Sequence, residues 1–133
     1  MYKYQRTIRL SETDATGVLF FAELLKMAVE TFEAFLIAQG YPLQQMILQS
    51  DFLMPIVHAE ANFLAPLYVG DELAIHLNLR QQGTSSFTLN CSFFSGEKEV
   101  GNTMIVHVVV AKETGKSIPL PPEIKRILKI EER

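Results

Sequence analysis

The run Glu12-Thr13-Asp14-Ala15-Thr16-Gly17-Val18-Leu19-Phe20-Phe21 sets a carboxylate and a glycine turn just ahead of an apolar-periodic helix. A helix start offers unpaired N–H groups and a partial positive charge. An acid beside such donors can attack a carbonyl whose oxygen they hold, or can activate a water to attack it. Asp14 is therefore the candidate catalytic residue. Gly17 would let the loop come close to a substrate. A plainer reading stands beside this one, in which Asp14 closes a local Asx turn or caps the helix.

The other chemistry-bearing residues form no such arrangement. His58, His76 and His107 fall on separate alternating segments without metal-ligand spacing, so no metal site is predicted. Each reads as a structural or exposed histidine. Thr84, Ser85 and Ser86 follow Gly83 at a hairpin turn, where hydroxyls are common and could also hold phosphate oxygens. Gly83 itself belongs to no GxxxxGK[ST] loop. Ser11, Ser85 and Ser86 lack the strand–turn–helix setting of a hydrolase nucleophile. Cys91 is the only cysteine, which excludes an internal disulfide and a cysteine-rich metal site. Its place on an alternating strand marks it as core.

These residues must be positioned by a chain of 133 residues, a length that fits one domain spanning 1–133. Apolar residues make up 48%, enough for a sizeable core. The net charge is −3 with no basic run, which argues against a nucleic-acid partner. No apolar segment follows Met1–Arg6 as in a signal peptide, and charges break every apolar stretch before it could span a bilayer. The expectation is a cytoplasmic protein without membrane insertion.

Tyr2–Leu10 alternates loosely as a first strand, and Ser11–Gly17 is a loop. From Phe21 the positions Phe21, Leu24, Leu25, Ala28, Val29, Phe32, Phe35 and Leu36 follow helical spacing. Gly40 stops this helix, with Pro42 just beyond. Leu43–Gln49 reads as a second short helix. The period then becomes two. Val57, Ala59, Ala61, Phe63 and Ala65 mark one strand, and Leu73, Ile75, Leu77 and Leu79 a second. Phe87, Leu89, Cys91 and Phe93 mark a third. Ser95-Gly96-Glu97-Lys98 signals a hairpin, and Met104, Val106, Val108 and Val110 lead a last strand. Prolines 119, 121 and 122 open a C-terminal helix, Glu123–Ile130.

Consecutive hairpins make an antiparallel sheet, and the single long helix can bury its stripe only on a face of that sheet. The predicted class is α+β, with a curved sheet of about five strands wrapped around one central helix. Such a layer leaves a strand edge and part of one sheet face uncovered, which favours pairing with a second copy of the chain.

That order of elements resembles the hot-dog fold. Thr13–Phe21 resembles the signature of the 4-hydroxybenzoyl-CoA thioesterase family, as do Pro55–Pro66 with Gly70-Asp71-Glu72-Leu73, and Gly83–Phe87. Within that family the likeness is to the cyanobacterial hydrolases acting on 1,4-dihydroxy-2-naphthoyl-CoA, carried by Arg6–Leu10 ahead of Thr13-Asp14 and by Pro55-Ile56-Val57-His58. The resemblance implies that Asp14 is the catalytic carboxylate and that the N–H of Phe21, seven residues on, holds the thioester oxygen. It implies an acyl-CoA substrate, release of the naphthoate as a phylloquinone precursor, and a homotetramer. No separate cofactor is called for, since coenzyme A is part of the substrate. His58, in a shared block, could line the acyl pocket, and Glu60 on the same strand face could orient a ring hydroxyl. Leu19, Phe20 and Phe63 would supply apolar walls.

Two other functions fit the fold. One is a broader acyl-CoA thioesterase, acting on aliphatic or benzoyl groups. The other is a non-catalytic acyl-binding module. A dehydratase would want a histidine between Met1 and Ser50, and none is present.

Overall fold

The computed structural model describes residues 1–41 and 43–130. Pro42, predicted to lie just past the helix stop, falls outside them. In chain order the elements are β1 (Tyr2–Thr7), α1 (Glu23–Ala38), α2 (Leu43–Gln49), β2 (Phe52–Leu53), β3 (Ile56–Phe63), β4 (Glu72–Gln82), β5 (Ser86–Ser95), β6 (Lys98–Val108), β7 (Val110–Ala111) and α3 (Pro122–Ile127). A five-stranded antiparallel sheet runs in the order β1-β4-β5-β6-β3. The two-residue strands β2 and β7 pair separately, a ladder too short to show as a sequence period.

Helix α1 lies across this sheet, as its apolar stripe requires. Leu24, Met27, Ala28, Phe32, Phe35 and Leu36 are buried in one cluster with Leu73, Ile75, Leu77, Phe87, Leu89, Cys91, Phe93 and Ile105. Gly101 makes the crossing possible near the N-terminal end of α1. A Cβ there would meet a Leu24 methyl and the Asn62 carbonyl, each at 3.1 Å. Gly40 stops α1 with φ +74°, and Tyr41 N–H donates back to the Leu36 carbonyl, as in a glycine-terminated helix. Cys91 is buried, and burial pushes its thiol up to about 12.

Several expectations need correction. The first strand ends at Thr7, and Leu10 is 74% exposed in a short 3-10 turn, Leu10–Glu12. Helix α1 begins at Glu23, and Phe21 and Val29 from its predicted stripe are exposed. The last long strand buries Val100, Thr103, Ile105 and His107, continued by Val109, and not Met104, Val106, Val108 and Val110. Two polar residues on the buried face hid its parity. Strand β3 alternates in sequence, yet both of its faces are largely open because it lies at the sheet edge. The C-terminal helix stops at Ile127, with proline in its first turn.

His107 is the buried exception among the histidines. Its Nδ1 lies 2.9 Å from the Met54 carbonyl, and its ring stacks on Phe87 at 4.9 Å between centroids. Burial pulls its pKa below the ordinary histidine value, against the Met54 hydrogen bond. The unfolded chain then binds a proton that the folded chain refuses. Stability from this group is full above about pH 6.5, the unfolded value, and is lost as pH falls toward the lower folded value. Urea midpoints should decline from neutral pH to about pH 5. His107→Asn, which keeps a donor but does not titrate, should flatten that decline. An equal slope in the variant would assign it to other groups.

Candidate active site

The segment between β1 and α1 folds as a small hairpin. Asp14 N–H donates to the Val18 carbonyl at 2.8 Å, and Thr13 bridges Leu19 in antiparallel fashion. Gly17 closes the turn with φ +79°, a conformation that favours glycine, and its N–H donates to the Asp14 carbonyl at 3.1 Å. The hairpin is tied to the body by Leu19 N–H on the Leu67 carbonyl and Val69 N–H on the Gly17 carbonyl.

Asp14 Oδ1 accepts from Thr16 N–H (2.8 Å), Thr16 Oγ1 (2.5 Å) and Val18 N–H (3.3 Å). The Thr16 hydroxyl and N–H hold the carboxyl below its usual pKa against desolvation, with a lesser contribution from Val18 N–H. Three donors on Oδ1 leave Oδ2 without a hydrogen bond among the described residues. Asp14 thus forms an Asx-type turn, and it does not cap the helix. No side chain caps α1, whose N-cap is Ala22.

Phe20 N–H donates to the Glu12 carbonyl and Glu23 N–H to the Phe20 carbonyl, which turns the chain into α1. Phe21, between them, has no acceptor for its N–H among the described residues, and its side chain is 69% exposed. Its ring packs on Phe20 at 4.7 Å between centroids. Phe21 also lines an apolar cleft of about 470 Å³ with Val18, Leu19, Phe63, Leu64 and Leu67. Phe20, predicted as a wall, is not among the lining residues. A larger cavity of about 760 Å³ lies between α2 and α3, bounded by Tyr41, Met46, Phe52 and Ile118, and contains none of the predicted site residues.

The remaining predicted residues are not gathered here within one chain. His58 pairs with Val106 and Glu60 with Met104, so both stand on the sheet face turned away from α1. They contact each other, His58 Nε2 to Glu60 Oε1 at 3.2 Å, and both are exposed. Glu60 borders a polar hollow with Arg80, Asn90, Asn102 and Met104. The period of two gives parity but not which face meets the helix. Thr84, Ser85 and Ser86 sit at the far end of β4 from the Asp14 hairpin, where the Thr84 and Ser85 carbonyls accept from Leu120 and Val109 N–H. Eleven residues of β4 intervene, on the order of 35 Å of extended chain.

One group escaped the sequence reading. Arg6, whose side chain is only 8% exposed, forks between two carboxylates, bonding Glu12 through Nη2 and Glu30 of α1 through Nη1 at 3.0 Å. Tyr4 Oη donates to Glu30 Oε2 at 2.8 Å. Partial burial opposes ionisation of Glu12, but Arg6 and the Arg9 N–H more than offset it and hold its carboxyl below the usual range. These partners come from three elements, and no local spacing signals them. Among the described residues no set of His, Cys, Asp or Glu is placed to hold a metal, and no helix is long and apolar enough to cross a membrane.

Asp14 with its free Oδ2 and Phe21 with its unpaired N–H thus lie on one segment leading into α1, and Phe21, but not Asp14, lines the apolar cleft. The family model for the thioesterase-like superfamily matches residues 8–128. The chain belongs to this superfamily. A 1,4-dihydroxy-2-naphthoyl-CoA hydrolase of Prochlorococcus marinus is 38% identical over 127 residues, covering 90% of this chain and 82% of the relative. The crystal structure of a 1,4-dihydroxy-2-naphthoyl-CoA thioesterase from Synechocystis superposes with a TM-score of 0.92 at 29% identity, covering 99% of this chain and 98% of that one. A gentisyl-coenzyme A thioesterase superposes with a TM-score of 0.84 at 25% identity, covering 93% and 99%. The α+β architecture is thus that of the hot-dog thioesterases, as the sequence resemblance implied.

Proposed function

We propose that the chain hydrolyses an aromatic acyl-CoA thioester, with 1,4-dihydroxy-2-naphthoyl-CoA as substrate, and that Asp14 performs the chemistry. The observation that supports this is a free Asp14 oxygen and, on the same segment leading into α1, an unpaired Phe21 N–H beside an apolar cleft. Phe21 N–H and the helix dipole stabilise the oxyanion. The ionised Asp14 attacks the carbonyl carbon itself, or removes a proton from the water that attacks. In the first route coenzyme A leaves as the thiolate while a mixed anhydride forms. Water then hydrolyses the anhydride to free the acid and restore Asp14, and the proton released goes to the thiolate. In the second the proton taken by Asp14 passes to the departing sulfur as the acid is freed. The acyl group occupies the cleft walled by Phe21, Phe63 and Leu64. The names of the Prochlorococcus and Synechocystis relatives support the naphthoyl group over other acids.

Edge strand β3 and the separation of Thr84–Ser86 from Asp14 support a site completed by a second copy in a homo-oligomer, a tetramer by family resemblance. The partner's turn would then hold the coenzyme A portion.

The test is a panel of naphthoyl-, benzoyl- and palmitoyl-CoA under identical conditions. A site that hydrogen-bonds ring hydroxyls penalises acyl groups lacking them, so kcat/KM should favour the naphthoyl thioester by about 100-fold or more over palmitoyl-CoA. A higher kcat/KM for palmitoyl-CoA would overturn the aromatic assignment in favour of a general acyl-CoA thioesterase. Gentisyl-CoA is a useful fourth member, because the gentisyl enzyme shares the fold.

A further inference from the structure

We infer that Glu12, held by Arg6, is a positioning residue that sets the distance between the Asp14 carboxylate and the Phe21 N–H. This rests on the reading of Asp14 and Phe21 given above. Glu12 touches both arms of the hairpin that carries the site. Its carbonyl receives Phe20 N–H at 2.9 Å, one residue before the oxyanion donor. Two residues after Glu12 comes Asp14. The Glu12 side chain receives Arg9 N–H at 2.8 Å and the Arg6 guanidinium, which ties this residue to the loop root and to β1.

Arg6 carries this restraint to the body of the protein. Strand β1 is fixed in the sheet, with Arg6 opposite Leu73. The second arm of its guanidinium grips Glu30, two turns along α1, and Tyr4 grips the same carboxylate. The loop root, the first strand and the helix therefore meet at one nearly buried fork, and the planar guanidinium suits two carboxylates at once. Asp14 keeps its own hydrogen bonds inside the hairpin, to Thr16 and Val18, and these do not involve Glu12. Loss of the fork should displace the carboxylate relative to the donor without changing its chemistry.

The test compares Glu12→Ala, Glu12→Gln and Arg6→Lys with the parent on the naphthoyl thioester, normalised to folded protein. Misplacement near an ångström costs up to about 100-fold, so Glu12→Ala should lower kcat by about 10- to 100-fold. KM should stay within about threefold, since the cleft is untouched. The acid limb of the kcat profile should keep its position while the plateau falls. Glu12→Gln retains an acceptor for Arg9 and Arg6 and should recover most of the loss. Should Glu12→Ala not fold, Arg6→Lys keeps the charge but cannot fork, and should lower kcat with KM held. A kcat within about twofold of the parent for the folded variants would overturn the inference, as would an acid limb that moves upward. A merely structural role would lower the thermal midpoint and leave kcat per folded site unchanged. Asp14→Asn, assayed in parallel, separates the two ideas. Retained activity there removes the reading of the site, whereas a dead Asp14→Asn with an unaffected Glu12→Ala removes only the positioning role.

Discussion

Asp14→Asn should lower kcat on an acyl-CoA thioester by about 10³-fold or more while the protein still folds. The amide is isosteric, and its oxygen can still accept from Thr16 and Val18, so the turn survives. It can neither attack a carbonyl nor take a proton from water. Circular dichroism should match the parent, and steady-state turnover reads the loss. Turnover within a few-fold of the parent would make Asp14 a turn residue and nothing more. The parent's pH profile adds a second reading. Activity needs the ionised carboxylate, and its donors hold the pKa below the ordinary aspartate value. The acid limb of activity should therefore fall at a lower pH than an ordinary aspartate would give.

The second large effect concerns the sheet edge. Strand β3 ends the strand order, so one row of its N–H and C=O groups faces outward. Val57 is 60% exposed there, and Ile56, Phe63 and Leu64 are also exposed beside it. An open apolar edge of this kind suits a second copy of the chain. Light scattering of the parent at micromolar concentration should give a multiple of the monomer mass. A lysine at an edge position deters strand pairing, so Val57→Lys should shift the mass toward monomer and lower kcat/KM by about 100-fold. Val57 lines neither the cleft nor the hairpin, so loss of activity would report loss of the partner. A monomeric parent would remove the shared site, as would a monomeric variant of full activity.

The glycine turn after Asp14 and the helix beyond it were legible because their parts are consecutive, whereas the closing of Thr13 on Leu19 into a hairpin, read only as a loop, was not. Helix α1 was legible because Leu24, Ala28, Phe32, Phe35 and Leu36 keep one period to the core. Strand β6 misled because Thr103 and His107 lie on its buried face while Met104, Val106 and Val108 lie outside. Hydropathy alone chose the wrong parity. His58 and Glu60 share a face, as their spacing requires, but that face became known only through the pairing with Val106 and Met104. The Arg6–Glu12–Glu30 fork joins a strand, a turn and a helix, and such a junction exists only once all three have packed.

Cys91 gives the chain a built-in clock for its own opening. The thiolate is the reactive form, and a thiol pushed up to about 12 supplies almost none of it at neutral pH. The side chain is also sealed between sheet and helix. A thiol reagent can reach it only when those layers part, so its rate of modification in native buffer reports the population of opened molecules. No label has to be engineered, because the chain has a single cysteine. If assembly of copies stabilises the fold, that rate will slow as protein concentration rises, and one reagent would then read folding and association together.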